Sequence, residues 1–126
     1  MTSDETVEHL KRLQGELLTI IKAVDNSSRL KTLISLMSTP RAFQNIKEIT
    51  GLEKSTLSIH LNTLIKASLV EKYQHGVYRI TETGLELLES LLNVYLNQVK
   101  REANAQQASM KREMTETFLH RGRRKL

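Results

Sequence analysis

Apolar residues recur at helical spacing through most of the chain. Leu10, Leu13, Leu17, Ile20 and Val24 step by three and four, which predicts one helix over about Val7 to Val24 with a short heptad stripe. Leu18 and Ile21 widen its apolar face, and Gly15 in mid-helix suggests the close approach of another helix. Asp25-Asn26-Ser27-Ser28 is a break rich in N-cap residues. Leu30, Leu33, Ile34 and Met37 predict a second helix, over about Ser28 to Met37, which Ser38-Thr39-Pro40 ends. Phe43, Ile46 and Ile49 mark a short third helix from about Ala42 to Thr50, and Gly51 stops it in the left-handed conformation. Leu57, Leu61 and Leu64 form one stripe of a fourth helix, over about Lys54 to Ala67.

The period then changes. Leu69 to Tyr73 and Val77 to Ile80 read as two strands joined through Gln74-His75-Gly76. Thr83 and Glu86 have the spacing of a capping box for a last helix. In that helix Leu85, Leu88, Leu92, Tyr95 and Val99 again step by three and four, with Leu87, Leu91 and Val94 beside them. So wide an apolar face needs the chain's own core on one side and a second copy of the chain on the other. Beyond Ala103 the pattern thins to Met110, Met114 and Phe118, and no internal repeat is evident.

The predicted fold is mainly α with a small β-hairpin. It is a winged helix-turn-helix over residues 27–81, flanked by N-terminal (1–26) and C-terminal (82–118) dimerisation helices, with a basic tail over 119–126 that is expected to be disordered in the free protein and to make weak non-specific DNA contact. The expected dimer interface comprises Leu10, Leu13, Leu17, Ile20, Leu88, Leu92, Tyr95 and Val99.

Charge sharpens this division. Residues 27–80 carry a net +5 and residues 100–126 another +5, whereas 1–26 carry −2 and 81–99 carry −3. A basic middle between acidic, leucine-rich flanks suits a polyanion-binding core with non-binding helices around it. The absence of cysteine excludes disulfides, thiolate metal sites and a cysteine nucleophile. With no tryptophan and only two phenylalanines, the core is built from Leu and Ile. The polar, acidic start is not a signal peptide, and no apolar run is long enough to cross a membrane, so a cytoplasmic, nucleoid-associated protein is expected. No phosphate-binding glycine loop, HExxH or GxSxG is present, so no enzyme is expected.

A short helix ending at Gly51, a three-residue turn and an amphipathic helix make a helix-turn-helix, and the hairpin after it is the wing. Three segments also resemble a known family. Thr50-Gly51-Leu52-Glu53-Lys54-Ser55-Thr56-Leu57-Ser58-Ile59-His60-Leu61 resembles the tGLskStvSrHL pattern of ArsR-like and related winged-helix transcription regulators. Leu64 to Val70 resembles their L-x-x-a-G-L-V segment, and Tyr78 to Gly84 their Y-x-l-T-e-x-G after the wing. Two residues depart from the pattern. Ser68 stands where glycine is usual, and Glu53 where Ser or Thr usually caps the recognition helix. Metal-binding members of that family use Cys or His/Asp clusters. Here His9, His60, His75 and His120 lie far apart and cysteine is absent, so the resemblance is to a non-metal-sensing type with no cofactor.

The resemblance implies a double-stranded DNA-binding regulator, a homodimeric repressor of a palindromic operator, with no membrane partner and no effector assigned. With Leu57, Leu61 and Leu64 buried, Ser55, Ile59, Asn62, Thr63 and Lys66 point roughly the other way. The N-terminal half of such a helix enters the major groove, which makes Lys54, Ser55, Thr56, Ser58 and Ile59 candidates for base contact. An exposed Ile59 suits a thymine methyl group. His60 lies nearer the buried face, as a structural residue or a phosphate ligand. Arg41, Lys47, Lys72, His75, Gly76 and Arg79 are candidates for the DNA backbone. An architectural DNA-binding protein of low specificity and a protein-binding winged helix are the alternatives.

Overall fold

The computed structural model describes residues 1–124, and side chains as far as residue 117. Its elements are α1 (Ser3–Arg12), α2 (Gln14–Val24), α3 (Ser27–Ser35), β1 (Arg41–Ala42), α4 (Phe43–Thr50), α5 (Lys54–Lys66), β2 (Val70–Gln74), β3 (Val77–Ile80) and α6 (Glu82–Arg124). The chain divides into two units, Met1–Leu88 and Glu89–Leu126.

In the first unit, Leu33 and Leu36 from the α3 region, Ile46 of α4, and Leu57, Leu61 and Leu64 of α5 bury almost completely with Leu69 and Val70. Each such side chain contributes about 1.5–3 kcal/mol by leaving water. Ala23 of α2 and Leu88 of α6 join the same cluster, so the N-terminal helices are anchored at their end to the helix-turn-helix core.

The single N-terminal helix predicted from the heptad is two helices. Leu13, with φ −98° and ψ 12°, ends α1 and precedes α2. The hydrogen-bond ladder still steps across, from Leu13 N–H to His9 and from Leu17 N–H to Leu13, which is why an apolar period runs through the joint. Gly15 therefore sits in the first turn of α2 rather than in mid-helix, and a Cβ there would meet nothing in this chain. Thr2 closes a capping box with Glu5, which starts α1 four residues earlier than its first apolar residue suggests. Asn26 caps α3 by accepting from the Arg29 N–H at 3.0 Å.

The hairpin gains a third strand. The sheet order is β1-β3-β2, antiparallel throughout, with Arg41 opposite Tyr78 and Ala42 opposite Val77. Ala42, predicted as the start of a helix, is instead extended and precedes α4. Two residues are too short to show a strand period, so the pattern hides β1. Between β2 and β3 the register slips between Lys72 and Gln74, which leaves Tyr73 in a bulge before the His75-Gly76 turn.

Thr81, not Thr83, caps α6, because its hydroxyl accepts from the Gly84 N–H at 3.0 Å. Its own N–H still bonds to Leu69 on leaving the sheet, and the glycine three residues on cannot return a side-chain bond, so no capping box forms. In the second unit α6 continues as helix to Arg124, and residues 89–117 are exposed. The basic tail expected to be disordered over 119–126 is instead helix as far as Arg124; side chains from Phe118 onward, and Lys125 and Leu126 altogether, lie outside the described residues.

Candidate nucleic-acid interface

Two turns in the motif need a left-handed backbone. Gly51 closes α4 at φ 71°, as its sequence position predicts. Ser68, where related sequences have glycine, holds φ 62° after α5. It is tied down from both sides: its N–H bonds to Ile65, and its carbonyl accepts the Thr81 hydroxyl at 2.7 Å. Those bonds offset the strain of about 1–2 kcal/mol that a side chain meets there.

Leu57, Leu61 and Leu64 seat α5 on the core, which fixes the face that remains outside. Lys54, Ser55, Ile59 and Asn62 are exposed on it, and Thr56, Ser58, His60 and Thr63 are half-buried at its margins. Ile59 is 63% exposed in a helix whose three leucines are buried and whose other isoleucine, Ile65, is half-buried. The Thr63 hydroxyl donates back to the Ile59 carbonyl at 3.0 Å, so it is engaged within its own helix.

Glu53 is extended and its side chain caps nothing. The first N–H groups of α5 therefore keep no side-chain acceptor, at the positive end of the helix dipole. That combination favours an anion.

His60 is set by a residue that periodicity alone does not single out. Arg29 of α3 donates through Nε to the Ala23 carbonyl at 2.8 Å and through one terminal nitrogen to the Lys22 carbonyl at 3.0 Å. It thus satisfies carbonyls at the end of α2. Its other terminal nitrogen lies 3.4 Å from His60 Nδ1. Burial, and then the Arg29 charge, push the His60 pKa below its ordinary value, so the ring is kept neutral. The sequence signal for Arg29 was its place just inside the N-cap of α3, within reach of the preceding helix end.

The backbone candidates divide into free and engaged groups. Lys72, His75 and Gly76 are exposed on the wing, and Gly76 has φ 71°. Lys47 is half-buried in the last turn of α4. Arg79 is committed instead: Nε donates to Glu71 at 2.6 Å, and the guanidinium lies 4.7 Å from the Tyr73 ring centre. This exposed pair links side chains of the two wing strands, already joined by their backbone ladder, and engages the cation that the sequence assigns to the DNA backbone. Arg41 likewise spends Nε on the Ser35 carbonyl at 2.7 Å.

Of the predicted dimer residues, Leu10, Leu13 and Leu17 are exposed and Ile20 is half-buried; Leu92, Tyr95 and Val99 are exposed. Leu88 is a different case. At 9% exposure it belongs to the chain's own core, because the apolar face of α6 turns inward there. Among the described residues, no cluster of three or more metal-ligating side chains occurs and no helix is long and apolar enough to cross a membrane.

Residues 26–72 match the family described as bacterial regulatory protein, arsR family. No curated protein sequence matches the chain. Among solved structures, a possible transcriptional regulatory protein (fragment 1–100) from Mycobacterium bovis is similar at 31% identity and TM-score 0.58, over 68% of this chain and 95% of that one. A solution structure from Mycobacterium bovis is similar at 27% identity and TM-score 0.58, over 77% and 88%. It is described as a homodimeric winged helix-turn-helix DNA-binding domain of a possible ArsR-family regulator. The fold is also that of the transcriptional repressor BigR from Xylella fastidiosa, at 22% identity and TM-score 0.60, over 72% and 94%. The helix-turn-helix, the wing and these likenesses agree: the chain belongs to the arsR family, as a DNA-binding transcription regulator built on a winged helix-turn-helix.

Proposed function

We propose that this regulator is a homodimeric repressor that reads a palindromic operator in the cytoplasmic nucleoid. In this reading α5 enters the major groove and the β2–β3 wing meets the backbone or the minor groove. The observation that carries it is the outer face of α5, where an uncapped, lysine-bearing N-terminus adjoins exposed Ser55, Ile59 and Asn62. Lys54, Ser55, Thr56, Ser58 and Ile59 meet base edges, while His60, Asn62 and Thr63 flank them. Lys47, Lys72, His75 and Gly76 meet phosphates. Arg41 and Arg79 position the sheet that carries the wing.

The exposed leucines of α1 and α2, and separately Leu92, Tyr95 and Val99 of α6, are the patches a second copy covers. The homodimeric Mycobacterium bovis relative supports that pairing. Two recognition helices then meet half-sites about one helical turn, roughly 34 Å, apart.

Selection of bound duplexes from a random library, followed by footprinting, tests this. The expected result is a two-fold symmetric site bound more than about 10³ times tighter than random duplex, and lost on Lys54→Glu. A smaller ratio, or an asymmetric site, overturns the reading in favour of an architectural role.

A further inference from the structure

Where α2, α3 and α5 join, three cations line one cavity of about 340 Å³: Lys22, Arg29 and Lys66. No carboxylate lines it with them, and Asp25, close by in sequence, is not one of its walls. Among the described residues the only ion pair is that of Arg79 with Glu71. Like charges gathered without a counter-ion repel one another, so the cluster favours an anion between them.

Cations near helix C-termini ordinarily serve the helix end. Here that need is already met. The last carbonyls of α2, at Lys22 and Ala23, accept from Arg29. The last turn of α5 closes through its own backbone: the Ala67 N–H bonds to Thr63, the Ser68 N–H to Ile65 and the Leu69 N–H to Leu64. The ammonium groups of Lys22 and Lys66 are therefore not required as caps. Arg29 also has capacity left. Of the five N–H donors on a guanidinium, it engages one each with Ala23, Lys22 and His60.

The walls restrict the ligand. The small side chains of Ala23 and Ala67 leave the space between the helices. The Thr19 and Thr63 hydroxyls donate to carbonyls of their own helices, at Gly15 and Ile59, so recognition falls to the cations. The volume is at the small end of ligand sites, which run from about 300 to 1,000 Å³. A guanidinium fork with two ammonium groups matches the oxygens of a phosphate. DNA is poorly placed to supply that phosphate. The cavity touches the last turn of α5, whereas the N-terminal half of such a helix enters the groove. Lys54 and Lys66 lie about 18 Å apart along the helix axis. We propose that the cavity between α2, α3 and α5 binds a small molecule carrying a phosphate monoester, held by Lys22, Arg29 and Lys66.

This site stands apart from how the protein reads DNA. Inorganic phosphate is the probe, titrated into the full-length protein against chloride at matched ionic strength. Saturable binding by calorimetry is expected, with a melting temperature that climbs with phosphate concentration. Lys22→Gln with Lys66→Gln is expected to weaken binding at least about tenfold. Both side chains are exposed, so the core is untouched. Lys11→Gln with Lys31→Gln removes the same charge outside the cavity and is expected to leave phosphate affinity unchanged. His60 gives a local signal. Burial, and then the Arg29 charge, lower its pKa, so an anion beside Arg29 raises it, as followed by the ring resonances. No saturation, equal losses in the two double variants, or saturation without a His60 response overturns the site. A Lys22/Lys66 double variant that instead loses DNA affinity and salt slope, with no phosphate bound by the unaltered protein, assigns the cavity to a DNA phosphate and overturns it too.

Discussion

Ser68 and Gly84 make opposite demands on a side chain. Ser68 carries one where the backbone is left-handed, so Ser68→Gly is expected to raise stability by about 0.5–1 kcal/mol, less than the full strain because glycine loses more freedom on folding. A Cβ on Gly84 would come within 2.5 Å of the Leu69 carbonyl oxygen and 2.7 Å of Ile80 Cγ1. Gly84→Ala must therefore push α6 off the sheet, at a cost of about 1–3 kcal/mol. Urea unfolding of both variants checks the two signs together. His60 adds a pH dependence. Its folded pKa lies below 6.5, so the unfolded chain binds the proton more readily, and stability is lost as pH falls from about 6.5 through the folded value. His60→Gln is expected to flatten that part of the stability–pH curve. The Ser68 conformation was legible from the family pattern. The His60 environment was not, since it depends on Arg29, thirty-one residues away in sequence, arriving across the α3–α5 packing.

Elements with a strong period are legible in the sequence, and those without one are not. The leucine stripe located α5 to within a residue and fixed its outward face, from which Ile59 follows. Ile59→Ala is expected to lower affinity for the selected operator by about 1 kcal/mol, the low end of a single base-pair mismatch. Affinity for random duplex should be unchanged, and a gel-shift titration of both duplexes separates the two. The α1–α2 break leaves no mark in the sequence pattern, because hydrogen bonding continues through Leu13 and the apolar period runs across it. The α6 cap lies two residues before the position that the sequence predicts, since Thr81 and Thr83 both precede the apolar run and only the end of the sheet chooses between them. Arg79 could not be recognised as engaged from sequence, because its partners Glu71 and Tyr73 come from the strand that the hairpin folds alongside it.

For the whole molecule, the segregation of charge predicts how binding responds to salt. The basic residues 27–80 hold the proposed phosphate contacts, and each phosphate neutralised contributes about −0.9 to the slope of log affinity against log salt. With Lys47 and Lys72 contacting phosphate in each of two copies, the slope is expected to be about −3 to −4, and Lys72→Ala should reduce it by about two because the change occurs twice. Arg79→Ala, by contrast, should leave the slope nearly unchanged, since that cation serves Glu71. Salt titrations of the three proteins on one duplex provide the measurement. The sequence made this charge map readable, but which cations are free to act on it was visible only in the folded chain.

The uncapped start of α5 has a consequence for hydration. With no side chain from Glu53 to accept them, the amides of residues 54–56 are left to water in the free protein. A phosphate seated there displaces water rather than a protein group, so no internal bond has to break before DNA binds. Those amides should exchange with solvent at nearly unprotected rates in the free chain and slow on the operator. By mass action, the melting temperature of the whole fold then rises with the concentration of the duplex it recognises.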